Sequence, residues 1–287
     1  MGRDVIQAPT VVYTPASQIR TPASLLASIW RDVRASRELS WRLFVRDVSA
    51  QYRQSFLGVL WAFVPPVVTS LIFVLLHSRN VVNFGQIDVP YPVYVMVGTI
   101  LWQVFVESLN APLKALTAAK PMLAKINFPR EALVIASFYT VLYGLLIKLI
   151  VIVGILLAFR VPLSWMLPVA LLPIVMLILL GFCAGLLLTP VGMLFTDVTT
   201  ALPVVTQLLF FGTPVVYALP KSFPFSLIGV LNPVSPPLIA ARDLMTKGVL
   251  TNSDTFLLLS GLTVVGLLGG LVIYRMALPI VIERISA

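Results

Sequence analysis

The hydrophobic pattern divides the chain into a polar first fifth and six long apolar runs. A transmembrane helix needs about 20 mostly apolar residues, and each run reaches that length. The runs cover residues 57–76, 93–113, 132–159, 165–188, 199–219 and 255–274. The pattern predicts an all-α integral membrane protein with six transmembrane helices. We divide it into a cytoplasmic tail and amphipathic interfacial helix, residues 1–56, and a transmembrane domain, residues 57–287.

Before the first run, apolar residues recur at helical spacing. Thr21 and Pro22 form a helix start, with a cap residue followed by proline. Two apolar sets follow, with arginines on the opposite side: Leu25, Leu26, Ile29, Trp30 and Val33, then Trp41, Phe44, Val45 and Val48. A basic amphipathic helix with tryptophan on its apolar face is typical of the membrane interface. The segment therefore predicts an interfacial helix.

The connection between the fifth and sixth runs, residues 220–254, is apolar although it contains five prolines. A segment of this kind is not expected to stand free in water, so we predict two short re-entrant helices that dip into the outer leaflet. The fifth run is itself interrupted, by Pro203 and by the sequence FGTP at 211–214. Broken helices beside re-entrant segments often line transport paths.

Composition and charge give the environment and the orientation. Hydrophobic residues make up 59% of the 287 residues and charged residues only 11%, against about 25% charged in a soluble domain. With both termini in the cytoplasm, fourteen Lys and Arg lie on the cytoplasmic side and five on the outer side. The positive-inside rule therefore predicts cytoplasmic N- and C-termini, and it accounts for the net charge of +9 without nucleic acid.

No motif for catalysis or nucleotide binding is present. The sequence has no G-x-x-x-x-G-K-S/T phosphate loop and no G-x-S-x-G elbow. One cysteine, Cys183, and one histidine, His77, are too few for a metal cluster. We therefore expect a transport subunit rather than an enzyme, with no bound cofactor or metal. Any ATP and Mg²⁺ would be bound by a partner subunit.

Two ionisable residues lie inside predicted spans. Counted from the predicted inner ends, Glu107 would be about 9 Å deep and Lys148 about 25 Å deep, a difference that predicts no direct ion pair. A proton-relay role is an alternative. The glycine pairs Gly181…Gly185 and Gly266…Gly270 predict closely packed helices.

Four segments resemble one transporter family. They are QYRQSFLGVLWAFVPP at 51–66, INFPREALVIASF at 126–138, LNPVSPP at 231–237 and YRMALPIVIERISA at 274–287. The chain resembles, over about residues 35–287, the ABC-2 permeases that export bacterial cell-surface polysaccharides such as O-antigen, capsule and teichoic acid. It departs from that family at Thr196, where an arginine is expected before Asp197, so no contact of that loop is carried over.

The resemblance implies a homodimer in the bacterial inner membrane, joined to two ATP-binding ABC subunits and moving a lipid-linked polysaccharide. The interfacial helix and the loop between the second and third runs would rest on the ATP-binding subunits. The candidate coupling residues are Arg34, Arg37, Lys120, Lys125, Phe128, Pro129, Arg130 and Glu131.

Candidate substrate residues lie at two places. Tyr52, Arg53, Gln54 and Trp61 fall where the interfacial helix enters the bilayer, and Arg53 could hold the phosphate of a lipid carrier. The alternative for Arg53 is a plain positive-inside anchor. In the broken fifth run the aromatic rings of Phe210, Phe211 and Tyr217 would suit sugar rings, with ordinary packing as the alternative. Other functions left open are a drug or lipid efflux permease, a membrane-embedded enzyme and a secondary transporter.

Overall fold

The computed structural model describes residue 34 and residues 36–53, 58–78, 87–123, 130–219, 231–250 and 253–286. These described residues form nine α-helices and one 3-10 helix, with no strand among them. The α-helices in chain order are α1 Arg37–Arg53, α2 Val64–Ser78, α3 Tyr91–Ala118, α4 Lys120–Leu123, α5 Arg130–Ala158, α6 Leu171–Leu194, α7 Thr196–Phe211, α8 Ser235–Thr246 and α9 Ser253–Ser286. The 3-10 helix Gly58–Ala62 precedes α2.

The all-helical prediction for a membrane protein is confirmed at this level. Within the described residues, α3, α5, α6 and α9 are long and apolar enough to cross a membrane. With 28 residues, α3 is about 42 Å long. The apolar helices α2 and α7 are shorter, with 15 and 16 residues. The count of six spans and the division at residue 57 stay predictions.

The centre of the fold is the contact between α3 and α6, and glycines make it close. A Cβ on Gly181 would lie 2.6 Å from the Phe105 carbonyl oxygen, and one on Gly185 would overlap the Leu109 carbonyl oxygen. On the opposite side of α6, the buried Cys183 faces Gly266 of α9. A Cβ on Gly266 would lie 3.4 Å from the Sγ of Cys183. The glycine spacings therefore act as predicted, because backbones approach where no side chain intervenes.

The N-terminal helix α1 packs along α5. Ser40 and Leu43 are buried there, whereas Trp41 is 57% exposed and Val45 43% exposed. The Trp41 and Phe44 rings lie 6.3 Å and 6.0 Å from the ring of Tyr139 on α5. One side of α1 thus contacts the protein while an apolar side stays open, as an interfacial helix requires. The first part of the predicted helix, residues 21–33, lies outside the described residues.

The structure contradicts two predictions that involve proline. In the fourth run the helix begins at Leu171, six residues after the predicted start at residue 165. Overlapping turns around Pro168 precede it, and in one of them the Ala170 N–H donates to the Met166 carbonyl oxygen. Pro203 does not break the fifth run: α7 continues through it to Phe211, since an internal proline can kink a helix without ending it. The break predicted at FGTP is confirmed.

Candidate functional site

A cleft of about 670 Å³ lies between α3 and α7. On α3 its wall is a stripe of residues spaced four apart, which the helical pitch places on one face. From the N-terminal to the C-terminal end of α3, the stripe consists of Trp102, Val106, Asn110, Lys114 and Ala118. Asn110 and Lys114 therefore give this apolar wall two adjacent polar positions.

The facing wall on α7 has the same spacing. Thr199, Pro203 and Gln207 are each four residues apart, and Thr206 adds a hydroxyl beside Gln207. Thr206 is buried and donates its hydroxyl to the Leu202 carbonyl oxygen at 2.9 Å. The cleft is therefore lined by amides, hydroxyls and one ammonium group together with apolar side chains.

Two contacts give the register of the helices. The Trp102 and Phe210 ring centroids lie 5.9 Å apart at one end. At the other end, Leu113 and Val198 both lie close to Gly192, where a Cβ would be 3.3 Å from Val198 and nearer to Leu113. The helices are thus antiparallel, and Lys114 lies about 18 Å along α3 from Trp102.

Aromatic side chains close the Trp102 end of the cleft. Trp102 is 6% exposed and Phe210 8% exposed. The Trp102 ring also packs 5.3 Å from Phe105. Of the predicted substrate aromatics, Phe210 is therefore packed at the end of the cleft, whereas Phe211 is 56% exposed.

Beyond Phe211 the chain leaves the helix, and a buried arginine binds it. Arg242 of α8 is 3% exposed. It donates to the carbonyl oxygens of Pro214 at 3.0 Å and Val215 at 3.1 Å, and its guanidinium lies 3.6 Å from the centre of the Tyr94 ring. Carbonyls freed by a broken helix need donors when they are buried, and Arg242 supplies two.

Three more side chains complete this junction of residues 212–217 with their donors, which we call the outer junction after the side on which the predicted topology places it. Tyr91 donates to the Val216 carbonyl oxygen at 3.1 Å, and Tyr94 donates to that of Tyr217 at 2.8 Å. Asn232 donates to the Gly212 carbonyl oxygen at 2.8 Å. The junction therefore joins the end of α7 to the N-terminal end of α3 and to the segment that contains α8.

An ion pair lies at the edge of the junction. Lys247 Nζ is 2.7 Å from Asp88 Oδ2 and 3.8 Å from Asp243 Oδ1. The hydrogen bond from Lys247, and then its charge, hold the pKa of the Asp88 carboxyl below its ordinary value. The hydrogen bond to Asp88 raises the pKa of Lys247.

The prediction that Glu107 and Lys148 do not pair is wrong. Lys148 Nζ lies 2.6 Å from Glu107 Oε2. Because α3 continues to Ala118 rather than ending at residue 113, Glu107 is about 16 Å from the C-terminal end of its helix. Lys148 is about 27 Å from the beginning of α5, so the two residues meet because these two helix ends are offset along the helix axes. The Lys148 side chain is 7% exposed and that of Glu107 50% exposed.

The predicted head-group residues that the structure describes lie in the last turn of α1 and in the 3-10 helix before α2. Arg53 is exposed in the last turn of α1. Tyr52 belongs to the same turn, and Gln54 lies outside the described residues. Trp61 is 56% exposed in the 3-10 helix. Tyr217 lies apart from them at the outer junction, where its hydroxyl donates to the Phe211 carbonyl oxygen at 3.0 Å.

The predicted coupling residues lie at helix ends. Arg34 and Arg37 are exposed at the beginning of the α1 region, and Lys120 begins α4. Arg130 and Glu131 begin α5, the helix on which α1 packs. Lys125, Phe128 and Pro129 lie outside the described residues.

Sequence reasoning missed the cleft and the junction. Lys114 and Arg242 were counted only as positive charges on the two sides of the membrane. The four-residue spacing of Asn110 and Lys114, and that of Thr199, Pro203 and Gln207, was available in the sequence. Nothing local predicts that the Arg242 side chain is buried, because its carbonyl partners are 27 and 28 residues away.

Comparison with known proteins gives one family. Residues 38–246 match the model of the ABC-2 type transporter family. The matched range begins in α1 and ends with α8, so it includes the cleft and the outer junction.

Curated relatives are similar over most of their length. The O-antigen export system permease protein RfbA of Myxococcus xanthus is 28% identical over 244 residues, which is 82% of this chain and 90% of the relative. The protein of the same name from Klebsiella pneumoniae is 27% identical and covers 77% and 86%. The polysialic acid transport protein KpsM of Escherichia coli is 24% identical and covers 81% and 91%.

Proposed function

Because this chain belongs to the ABC-2 type transporter family, we propose that it is the membrane-spanning subunit of an ATP-driven exporter of a cell-surface polysaccharide. The observation that carries the proposal is the similarity to permeases named for O-antigen export, which extends over 82% of this chain. The similarity to a polysialic acid transport protein favours the same class of cargo. The chain acts as a transport subunit rather than as an enzyme.

The proposed assembly is a homodimer with two ATP-binding subunits. ATP and Mg²⁺ would bind to those subunits, since this sequence has no phosphate loop. The exposed arginines Arg34 and Arg37, with the ends of α3 and α5, would be their contact surface. Force on α1 would reach α5 through the Trp41, Phe44 and Tyr139 rings, because these rings are in contact.

The proposed topology has six spans, in which the shorter helices α2 and α7 join the four long ones. Both termini would lie in the cytoplasm of a bacterium, and the protein would reside in its inner membrane. The 3-10 helix lengthens the first span, and the outer junction lengthens the fifth. In this arrangement α8 is a re-entrant helix of the outer leaflet, and burial of ten of its twelve residues supports that placement.

The cargo is proposed to be lipid-linked, with Arg53 near its phosphate. Replacement Arg53→Ala should reduce export while the ATPase activity of the assembly persists, because the change removes a charge-assisted hydrogen bond to the carrier. Export at the wild-type rate would leave Arg53 as an anchor only.

Deletion of the gene in its host tests the proposed function. Surface polysaccharide should disappear and polymer should accumulate inside the cell, and the wild-type gene should restore export. Surface polysaccharide is measured by gel electrophoresis of whole cells and by antibody binding to intact cells. An unchanged surface polymer together with a new sensitivity to apolar drugs would favour the alternative, an ABC-2 efflux permease.

A further inference from the structure

We propose that the cleft between α3 and α7 binds the anionic head group of an amphipathic carrier lipid, with Lys114 as the cationic contact. This inference rests on the proposed function, since it names a site within this chain for the lipid end of the cargo. It concerns a different place from Arg53, which lies at the end of α1.

The charge of the cleft favours an anion. Among the described residues that line it, Lys114 is the only ionisable one. The Lys114 side chain is exposed and has no ion pair within the described part of the chain. An ammonium group with no neighbouring carboxylate attracts a phosphate or diphosphate, and the low dielectric of a membrane cleft strengthens that attraction.

The neighbouring polar groups add hydrogen-bonding capacity. Asn110 lies one turn from Lys114 and uses one N–H for the Val106 carbonyl oxygen at 2.7 Å, which leaves its other N–H and its amide oxygen. The Thr117 hydroxyl is buried without a hydrogen-bond partner among the described residues. Gln207 is exposed on the opposite wall. A purely apolar ligand would leave these groups unsatisfied, at a free-energy cost.

The shape of the cleft favours a ligand that enters from the Lys114 end. The aromatic contact between Trp102 and Phe210 closes the other end. Val106 and Pro203 give the wall between the ends apolar surface. A head group at Lys114 therefore lies at the open end, and the apolar walls accommodate the first part of its chain.

The binding test uses the full chain in nanodiscs of phosphatidylcholine, with farnesyl diphosphate, farnesol and inorganic diphosphate as probes in equilibrium dialysis. Farnesyl diphosphate should bind saturably to the wild type. Lys114→Gln should weaken it about tenfold or more, as expected for loss of a charge-assisted hydrogen bond, and Lys114→Arg should retain it. Raising the salt concentration should weaken wild-type binding more than the residual binding of Lys114→Gln.

Arg284→Gln is the matched control, because it removes one exposed cation from α9 outside the cleft and should bind like the wild type. Equal affinity of the wild type and Lys114→Gln overturns the inference. So does an absence of farnesyl diphosphate binding, as when a second copy of the chain fills the cleft. Equally tight binding of inorganic diphosphate would make this a free-anion site, and equally tight binding of farnesol an apolar groove, and either result overturns it.

The deletion experiment keeps the two proposals separable. If deletion abolishes surface polysaccharide while Lys114→Gln binds farnesyl diphosphate normally, only the cleft inference fails. If deletion leaves surface polysaccharide intact, the proposed function fails whatever the binding result.

Discussion

Gly98 lies where α3 meets the non-helical segment that follows α7. A Cβ at this position would overlap the carbonyl oxygen of Val215 and would lie 3.1 Å from Arg242 Nη1. That oxygen is an acceptor for Arg242, so it cannot move away without loss of a hydrogen bond. A residue without a side chain is therefore required at the outer junction.

Replacement Gly98→Ala should destabilise the protein by about 1–3 kcal/mol, the usual cost of added volume in a packed interior. Gly154→Ala is the matched control, because Gly154 lies inside α5 with nothing within 4 Å of the added Cβ. The control should be neutral or slightly stabilising, since alanine favours helix over glycine. Thermal unfolding of the purified variants measures both. Equal melting temperatures of Gly98→Ala and the wild type would show that the outer junction accommodates the added methyl group.

Glu107 and Lys148 form the ion pair that links α3 to α5. Glu107→Gln leaves Lys148 buried and unpaired, which should cost about 1–3 kcal/mol, less than in a fully buried pair because Glu107 is half exposed. The double variant Glu107→Gln with Lys148→Met removes the unpaired charge and should recover most of that loss. A double-mutant cycle on thermal unfolding measures the coupling. Additive effects of the two changes would contradict a stabilising pair.

Contacts with residues far away in the sequence hold α8 in place. Its buried Arg242 binds carbonyl oxygens 27 and 28 residues away, and Lys247 after its end binds Asp88 before α3. These contacts tie three separate stretches of chain into the outer junction. The junction therefore fixes where the non-helical end of the fifth run lies.

Arg242→Lys keeps the charge but loses the planar fork that reaches two carbonyl oxygens. Amide hydrogens of residues 212–217 should therefore exchange about tenfold faster, because the segment opens more often. Arg160→Lys, at an exposed arginine between α5 and α6, is the control and should leave that exchange unchanged. Hydrogen–deuterium exchange with mass spectrometry measures the rates. Unchanged exchange would show that Tyr91, Tyr94 and Asn232 hold the segment without Arg242.

Elements were more predictable from the sequence than their contacts. The predicted run 132–159 agrees with α5 within two residues at each end, because Arg130 and Arg160 bound one long apolar segment. The true ends of α3 and α9 lie beyond their apolar runs, since polar residues continue a helix that neighbouring helices support. The Glu107–Lys148 pair depends on how far α3 and α5 are offset along their axes, and counting from the ends of the apolar runs assumes that those ends are level.

The polar cleft was less predictable for a different reason. Lys114 and Gln207 are 93 residues apart, and only packing of α3 against α6 and α7 brings their helices to one cleft. The four-residue spacing on each helix marks a polar face, but it does not name the partner helix. Side-chain pairing across helices is tertiary information, and one sequence contains little of it.

At the scale of the whole molecule, labelling of exposed residues at the helix ends tests the proposed orientation of the chain in the membrane. Because Cys183 is the only cysteine and is buried, Cys183→Ala gives a cysteine-free background in which single cysteines can be introduced. With six spans and cytoplasmic termini, Ser78→Cys, Trp165→Cys and Asp254→Cys should react with a membrane-impermeant maleimide on spheroplasts whose inner membrane is intact. Arg46→Cys, Asp197→Cys and Arg284→Cys should react only after permeabilisation.

Labelling of Asp197→Cys from outside would contradict the proposal that α7 begins in the cytoplasm. In that case the number of spans before α7 would be odd, and Lys114 would face away from the compartment where the polymer is made.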